Sequence, residues 1–478
     1  MLTDFQAIMP ILIVTLSAIV TMVAEAFQPK QERAPLAGFG VLGLIGAAAA
    51  SMLLWGYDKT GFGVVRADDF SLFINLIVIA VGLLTILFST QVIEREGIPP
   101  GEYYALTLFA VVGMMLMAAA TDLLLLFLAL EVLSLAVYVL TGIRRSQPQG
   151  AEGAFKYFLL GSFSSAFLLY GVALTYAIVG STRLEEIAAA VAGQADAPGV
   201  LLFVAIGLLA VGFAFKVSAV PFHMWAPDAY EGAPTLVTGF MATGVKAAAF
   251  AAFLRVFLSS FQTLHEIWAP MLWVVAVATM ILGTVVGVVQ ANAKRMLAYS
   301  SVAHAGYLLI GLIAGSQVGE AATLFYLATY AVSTIGAFAV LALLADGEHA
   351  HDRVQDFAGL WGSRPGLAAL MTVFLLSLGG FPPLAGFVGK WYIFSAAIEA
   401  GYVWLAVIGV LTSVISVFFY LRIVVMMYMT DEAPHVPTPA LARSAVAGLA
   451  FALVAVFYLG LLPARAIDLA LTSVQGIF

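Results

Sequence analysis

The sequence predicts an all-α integral membrane protein of about fourteen transmembrane helices. Three observations carry that prediction. The chain is 63% hydrophobic and only 10% charged, it holds fourteen apolar stretches of spanning length, and its basic residues crowd into alternate loops. Soluble domains carry about 25% charged residues. A mean hydropathy of +1.05 over 478 residues leaves little for an aqueous domain.

A span needs roughly 20 apolar residues. Such stretches lie near 5–26, 35–56, 70–93, 103–120, 122–142, 155–179, 200–222, 235–257, 270–290, 297–315, 320–344, 367–395, 402–428 and 444–462. The first begins almost at Met1, without a basic n-region or a small-residue cleavage site, and reads as a retained span. Only Thr121 and Asp122 separate the fourth from the fifth, which carries Glu131 at its centre. The seventh runs into FAFKVSAVPFHMWAPDAYEGAP, where Lys216 precedes Pro221. That proline has no N–H, so the carbonyl of Val217 loses its helical partner. The eighth holds Lys246, and the tenth holds His304 in YSSVAHAGYLLIG. In the twelfth, Pro382 and Pro383 free the carbonyls of Leu378 and Gly379, and Lys390 follows. Broken helices persist in a bilayer where protein or water satisfies the freed groups. Two of them, each with a lysine, suggest duplicated halves. The longest loop, 345–366, is polar, and His349 and His351 with Glu348 and Asp352 read as part of it.

The basic residues orient the spans. With the N-terminus outside, inner loops hold Lys30, Arg33, Arg95, Arg144, Arg145, Lys156, Lys294, Arg295, Arg353, Arg364, Arg422 and Arg443. Outer loops hold Lys59, Arg66, Arg183, Arg255 and Arg465. This asymmetry places both termini on the periplasmic side. Lys216, Lys246 and Lys390 remain, and all three fall within spans.

Other chemistries find no support. Cysteine is absent, which excludes disulfides, thiol chemistry and iron–sulfur ligation in this chain. No GxGxxG or Walker motif follows a strand pattern, no histidine spacing suggests haem, and no His/Asp/Glu cluster suggests a metal. Gly40, Gly43, Gly46, Gly239 and Gly244 read as helix-packing positions.

Four ionisable residues therefore define the problem: Glu131, Lys216, Lys246 and Lys390. Each costs about 2.5–3.5 kcal/mol at a span centre when unpaired. One such residue near a span end could be a structural ion pair or a snorkelling lysine; four central ones point to an ion path. Glu131 is the natural counter-charge for Lys216. His304 is a candidate relay, and equally a hydrogen-bonded core residue. Ser218, Thr243, Tyr299, Ser300 and Ser301 are candidates to hold water along a path. His223, Asp228 and Glu231 follow the break on the inner side and read as a solvated turn or an entry site.

The segments ALEVLSLAVYVL, APDAYEGAP, AKRMLAYSSVAHAGY and SLGGFPPLAGFVGKWYIF spread over roughly 120–400. In these the chain resembles the antiporter-like subunit family of respiratory complex I. The resemblance implies fourteen spans, with inverted five-helix repeats over 103–257 and 270–428 and broken helices seven and twelve. A three-helix segment, 1–102, would precede the repeats and a C-terminal helix, 429–478, would follow them. It also implies that Glu131 and Lys216 are a regulatory pair, Lys246 a connecting residue and Lys390 the outward-side proton site. M-type siblings carry glutamate at the last position, and L-type siblings add a long lateral helix. The lysine here, with a chain ending at residue 478, favours the N-type (ND2-type) branch.

The expected function is proton translocation from cytoplasm to periplasm across a bacterial inner membrane. No cofactor is expected in this chain; NADH, FMN, iron–sulfur clusters and quinone belong to other subunits, and its partners are the other membrane-arm subunits and the lipid bilayer, not nucleic acid. The alternatives are a cation/proton antiporter subunit of the Mrp type and a structural membrane scaffold.

Overall fold

A backbone in hydrocarbon must satisfy its polar groups within its own segment, so each apolar stretch becomes a helix. The computed structural model describes residues 2–27, 36–194, 198–345, 352–430 and 440–475. Lys30, Arg33, Glu348, His349 and His351 lie outside the described residues. Among those described, twelve helices are long and apolar enough to cross a membrane: Met9–Ala26, Leu36–Leu54, Asp69–Arg95, Pro100–Ala119, Leu123–Thr141, Pro148–Val179, Thr235–Ser260, Gln262–Val288, Ala293–Ala314, Gln317–Leu344, Val403–Met429 and Arg443–Leu461. The seventh and twelfth expected spans are each split. Val200–Lys216 is followed by Trp225–Gly232, and Pro365–Gly379 by Ala385–Glu399.

The helices sort into a core and a ring. Thr235–Ser260, Ala293–Ala314 and Gln317–Leu344 are almost wholly buried. Met9–Ala26, Pro148–Val179, Val403–Met429 and Arg443–Leu461 bury less than half of their spanning segments. Their outer faces carry Leu16, Phe163, Val414 and Val454, as lipid contact requires. Lys246 and His304 belong to the core helices, so each is shielded by protein on every side.

Several elements depart from the sequence reading. Val200–Lys216 stops at the lysine itself, because Ser218 takes a left-handed conformation at φ 62°. The helix Pro148–Val179 starts seven residues before the expected 155, since PQGAEGA continues the helix as a polar extension. Before the third span, Lys59–Gly61 and Val65–Ala67 pair antiparallel, with Phe62 and Gly63 both at positive φ in the turn. The connection before the seventh span and the segment after the last one hold amphipathic helices, Leu184–Ala192 and Ala464–Val474. One turn of the eighth span, Met241–Val245, is π-helical and ends directly before Lys246.

Eight of the basic residues assigned to loops lie inside helices: Arg95, Lys156, Arg255, Lys294, Arg295, Arg422, Arg443 and Arg465. Lys156 lies in the third turn of Pro148–Val179, and Lys294 lies in the first turn of Ala293–Ala314 and is buried. Arg255 is 2% exposed inside Lys246–Ser260 and pairs with Asp68 through two bonds of 2.8 and 2.7 Å. Its aliphatic neighbours hid it, because a charge just inside a span end looks the same in sequence as one just outside.

Gly239 and Gly244 do pack closely. A Cβ on Gly239 would meet that of Phe338 at 2.9 Å, and one on Gly244 would meet the Met114 sulfur at 3.0 Å.

Candidate functional site

The break after Val200–Lys216 leaves carbonyls that need partners. Trp225 Nε1 donates to the carbonyl of Phe215 at 3.0 Å, and the N–H of Val220 turns away to Thr279 Oγ1 at 2.9 Å. Lys216 does not fold back onto the break. Its Nζ donates to Ser134 Oγ at 2.7 Å, and the rings of Tyr138 and Tyr157 face it at 5.6 and 5.5 Å.

Glu131 and Lys216 are neighbours but not a direct pair. Ser134 lies three residues after Glu131 on the same helix face. The Glu131 carboxylate accepts instead from Ser165 Oγ at 2.5 Å. Ser165 and Lys216 both line a cavity of about 10 Å³. That is close to the smallest space that holds one water. The Glu131 carboxylate and the Lys216 ammonium thus each rest on a serine hydroxyl and not on each other.

Lys246 points the other way, towards Ala293–Ala314. Its Nζ donates to both the carbonyl and the hydroxyl of Ser301 at 2.5 Å, with the Tyr330 ring at 5.9 Å. One turn on, both ring nitrogens of His304 are engaged, Nδ1 with Tyr326 at 2.6 Å and Nε2 with Tyr420 at 3.1 Å. Another turn on, the Tyr307 ring packs edge-on against His304 and also faces the Lys390 ammonium at 5.3 Å. Ser301, His304 and Tyr307 therefore form one polar ridge about 9 Å long, with a lysine at each end.

At Lys390 the second break is closed as the prolines require. Its Nζ donates to the carbonyls of Leu378 at 2.8 Å and Gly379 at 3.2 Å, and to Ser413 Oγ at 2.8 Å. The two broken helices thus use their lysines differently. The one that follows its prolines satisfies the freed carbonyls, and the one that precedes its proline reaches to another helix.

The other expected water holders divide. Ser300 bonds Tyr420, whereas Thr243 bonds its own backbone at Gly239. The hydroxyl of Ser218 is buried without a partner. Asp228 and Glu231 are not a free turn: Lys156 and Arg295 grip Asp228, each at 2.8 Å, and Arg295 also takes Glu231 at 2.6 Å. Lys294 Nζ donates to the carbonyls of Glu231 and Ala233, both at 2.7 Å. Beside this clamp opens a polar cavity of about 740 Å³ lined by Glu96, Arg144, Glu231, Lys294, Asp352 and Arg422. Burial pushes the Glu96 carboxyl above its ordinary range, against the pull of Arg144 and Lys294.

Glu320 was missed by the sequence reading. It lies in the first turn of Gln317–Leu344, where an acidic residue is unremarked, yet it is fully buried and neither carboxyl oxygen has a hydrogen-bond partner. Among the described residues no group of three His, Asp or Glu side chains is placed to hold a metal.

Residues 120–416 match the family model described as NADH:quinone oxidoreductase/Mrp antiporter, TM. The chain is 46% identical over 426 residues to NADH-quinone oxidoreductase subunit N of Trichlorobacter lovleyi, covering 89% of this chain and 88% of that one. It is 44% identical over 467 residues to subunit N of Chloroflexus aggregans, covering 96% and 95%. A chain of respiratory complex I from Thermus thermophilus superposes with a TM-score of 0.81 at 37% identity, covering 96% and 98%. A chain of the Mrp complex from Dietzia shares the fold, with a TM-score of 0.85 at 21% identity, covering 100% of this chain and 98% of that one. Such identity over nearly the whole length, on an antiporter-like helical fold, makes this chain a member of the subunit N family of NADH–quinone oxidoreductase, the respiratory complex I of the matched structure.

Proposed function

We propose that the chain carries protons across the membrane as an antiporter-like subunit of NADH–quinone oxidoreductase. Protons pass through Lys216, Lys246 and Lys390, with Glu131 adjusting Lys216 and His304 relaying between Lys246 and Lys390. One observation carries this reading. The three lysines are each at most 4% exposed, and among the described residues none has a carboxylate within ion-pair distance. Each ammonium rests on hydroxyls, carbonyls and the faces of tyrosine rings. A cation held in that way is not locked by an opposite charge, so a charge moved nearby decides whether it keeps its proton.

In this reading each interrupted pair of helices makes one crossing, which gives fourteen. Residues 103–257 and 270–428 form the two repeats, after the 1–102 segment and before the 429–478 helix. The membrane is the bacterial inner membrane, with both termini periplasmic. The 740 Å³ cavity then faces the cytoplasm and serves proton uptake. Redox chemistry occurs in other subunits of the complex, which are the partners, and supplies the energy.

The test is NADH-driven proton pumping and quinone reduction in membranes holding the assembled complex. Glu131→Ala, Lys216→Ala, Lys246→Ala and Lys390→Ala should each lower pumping. Normal coupling in all four would refute the proposal. Sodium-dependent transport without NADH in reconstituted vesicles would assign the chain to cation/proton exchange instead.

A further inference from the structure

We propose that Glu320 is a proton-release carboxyl at the Asp68–Arg255 end of the bundle, reached from His304 along one face of Gln317–Leu344. This rests on the reading that the chain conducts protons.

A fully buried carboxyl without a hydrogen bond is costly to keep unless it has a use. Serving Arg255 is not that use. Asp68 already holds the guanidinium with two bonds, the carbonyl of Ala118 takes its Nε at 3.0 Å, and Glu320 lies beyond ion-pair distance. The other charges on neighbouring elements, Asp69 at the start of the third span and Arg465 and Asp468 on Ala464–Val474, are at least partly exposed. Arg255 is therefore the buried charge that would receive the carboxylate when its proton leaves.

The helix itself supplies the approach. At 3.6 residues per turn, Glu320, Thr323, Tyr330 and Thr334 fall within an arc of about 80°, with Tyr326 at its edge. All five are buried, and the Tyr330 hydroxyl stands between those of Ser301 and Thr334. At its inner half this stripe touches the centre already described. Tyr326 holds His304 Nδ1, and the Tyr330 ring lies 4.9 Å from the His304 ring and beneath the Lys246 ammonium. Glu320 stands about 15 Å further along the axis from Tyr330, with Tyr326 and Thr323 between. Lys390 leaves the same centre on another side, through Tyr307. His304 thus stands at a fork, and the branch along this helix ends at a group that can hold a proton and give it up.

The experiment compares Glu320→Gln with Lys246→Ala in assembled membranes. Glutamine keeps the size and removes the proton site. A lost acid–base group typically costs on the order of 10²-fold or more in proton-transfer rate. Glu320→Gln should therefore lower pumping by the part of the Lys246→Ala loss that leaves along this branch, and remove a protonated-carboxyl infrared band. If Glu320→Gln pumps normally while Lys246→Ala does not, this inference falls and the lysine path stands. If both pump normally, the proton reading itself falls. Where Glu320→Gln does not assemble, Glu320→Asp decides: a shifted pH profile of pumping supports the role, and an unchanged profile overturns it.

Discussion

Asp68→Ala offers a test whose size can be worked from the structure. Asp68 does two things at once. It holds Arg255 through two bonds of 2.8 and 2.7 Å, with both side chains at most 4% exposed, and it caps the third span by accepting from the Ser71 N–H at 2.9 Å. Removing one partner of a buried pair costs about 3–5 kcal/mol, because the other charge is left uncompensated. Losing an N-cap costs about 1 kcal/mol. Asp68→Ala should therefore cost about 4–6 kcal/mol, against a typical margin of about 5–15 kcal/mol. Asp68→Asn leaves an oxygen for the cap and should cost roughly the pair alone. Asp68→Asn with Arg255→Met leaves no orphan charge, so its cost should fall well short of the two single costs combined. The assay is recovery of assembled complex from membranes, with its thermal denaturation midpoint. An Asp68→Ala complex that assembles and melts as wild type would refute the reasoning.

Two further substitutions probe the breaks. A Cβ at Gly386 would collide with the carbonyl oxygen of Ser377, where the two halves of the broken helix meet. Gly386→Ala should cost about 1–3 kcal/mol by overpacking, seen as a lowered denaturation midpoint. Ser134→Ala removes the acceptor of Lys216, a bond to a charged donor worth about 1.5–3 kcal/mol. Pumping should fall, and Ser134→Thr, which keeps a hydroxyl, should restore it; equal pumping by the alanine and threonine variants would show the hydroxyl to be irrelevant.

The lysines were legible because a charge inside an apolar run has few explanations. The carbonyls that Lys390 serves were legible too, since proline chemistry names them by position. What could not be read was direction. A helix places a side chain on a face, but which neighbouring helix lies there depends on packing among distant segments. Hence Lys216 meets Ser134 and not Glu131, and Lys246 meets Ser301. Arg255 and Glu320 were hidden differently. Each stands within two turns of a helix end, where hydropathy cannot separate a buried charge from a wet one.

The π-helical turn at Met241–Val245 bears on how this protein can vary. Such a turn holds one residue more than an α-helical turn would. Because the wide turn absorbs that extra residue, deleting one residue there would restore an α-helical turn and keep Lys246 and Arg255 on their faces, whereas deleting one from Thr235–Phe240 would swing both by about 100° around the helix axis. The direction of the lysine is therefore encoded in chain length as much as in residue identity. A single deletion within 235–240 should therefore silence the site, whereas one within 241–245 should spare the direction of the lysine.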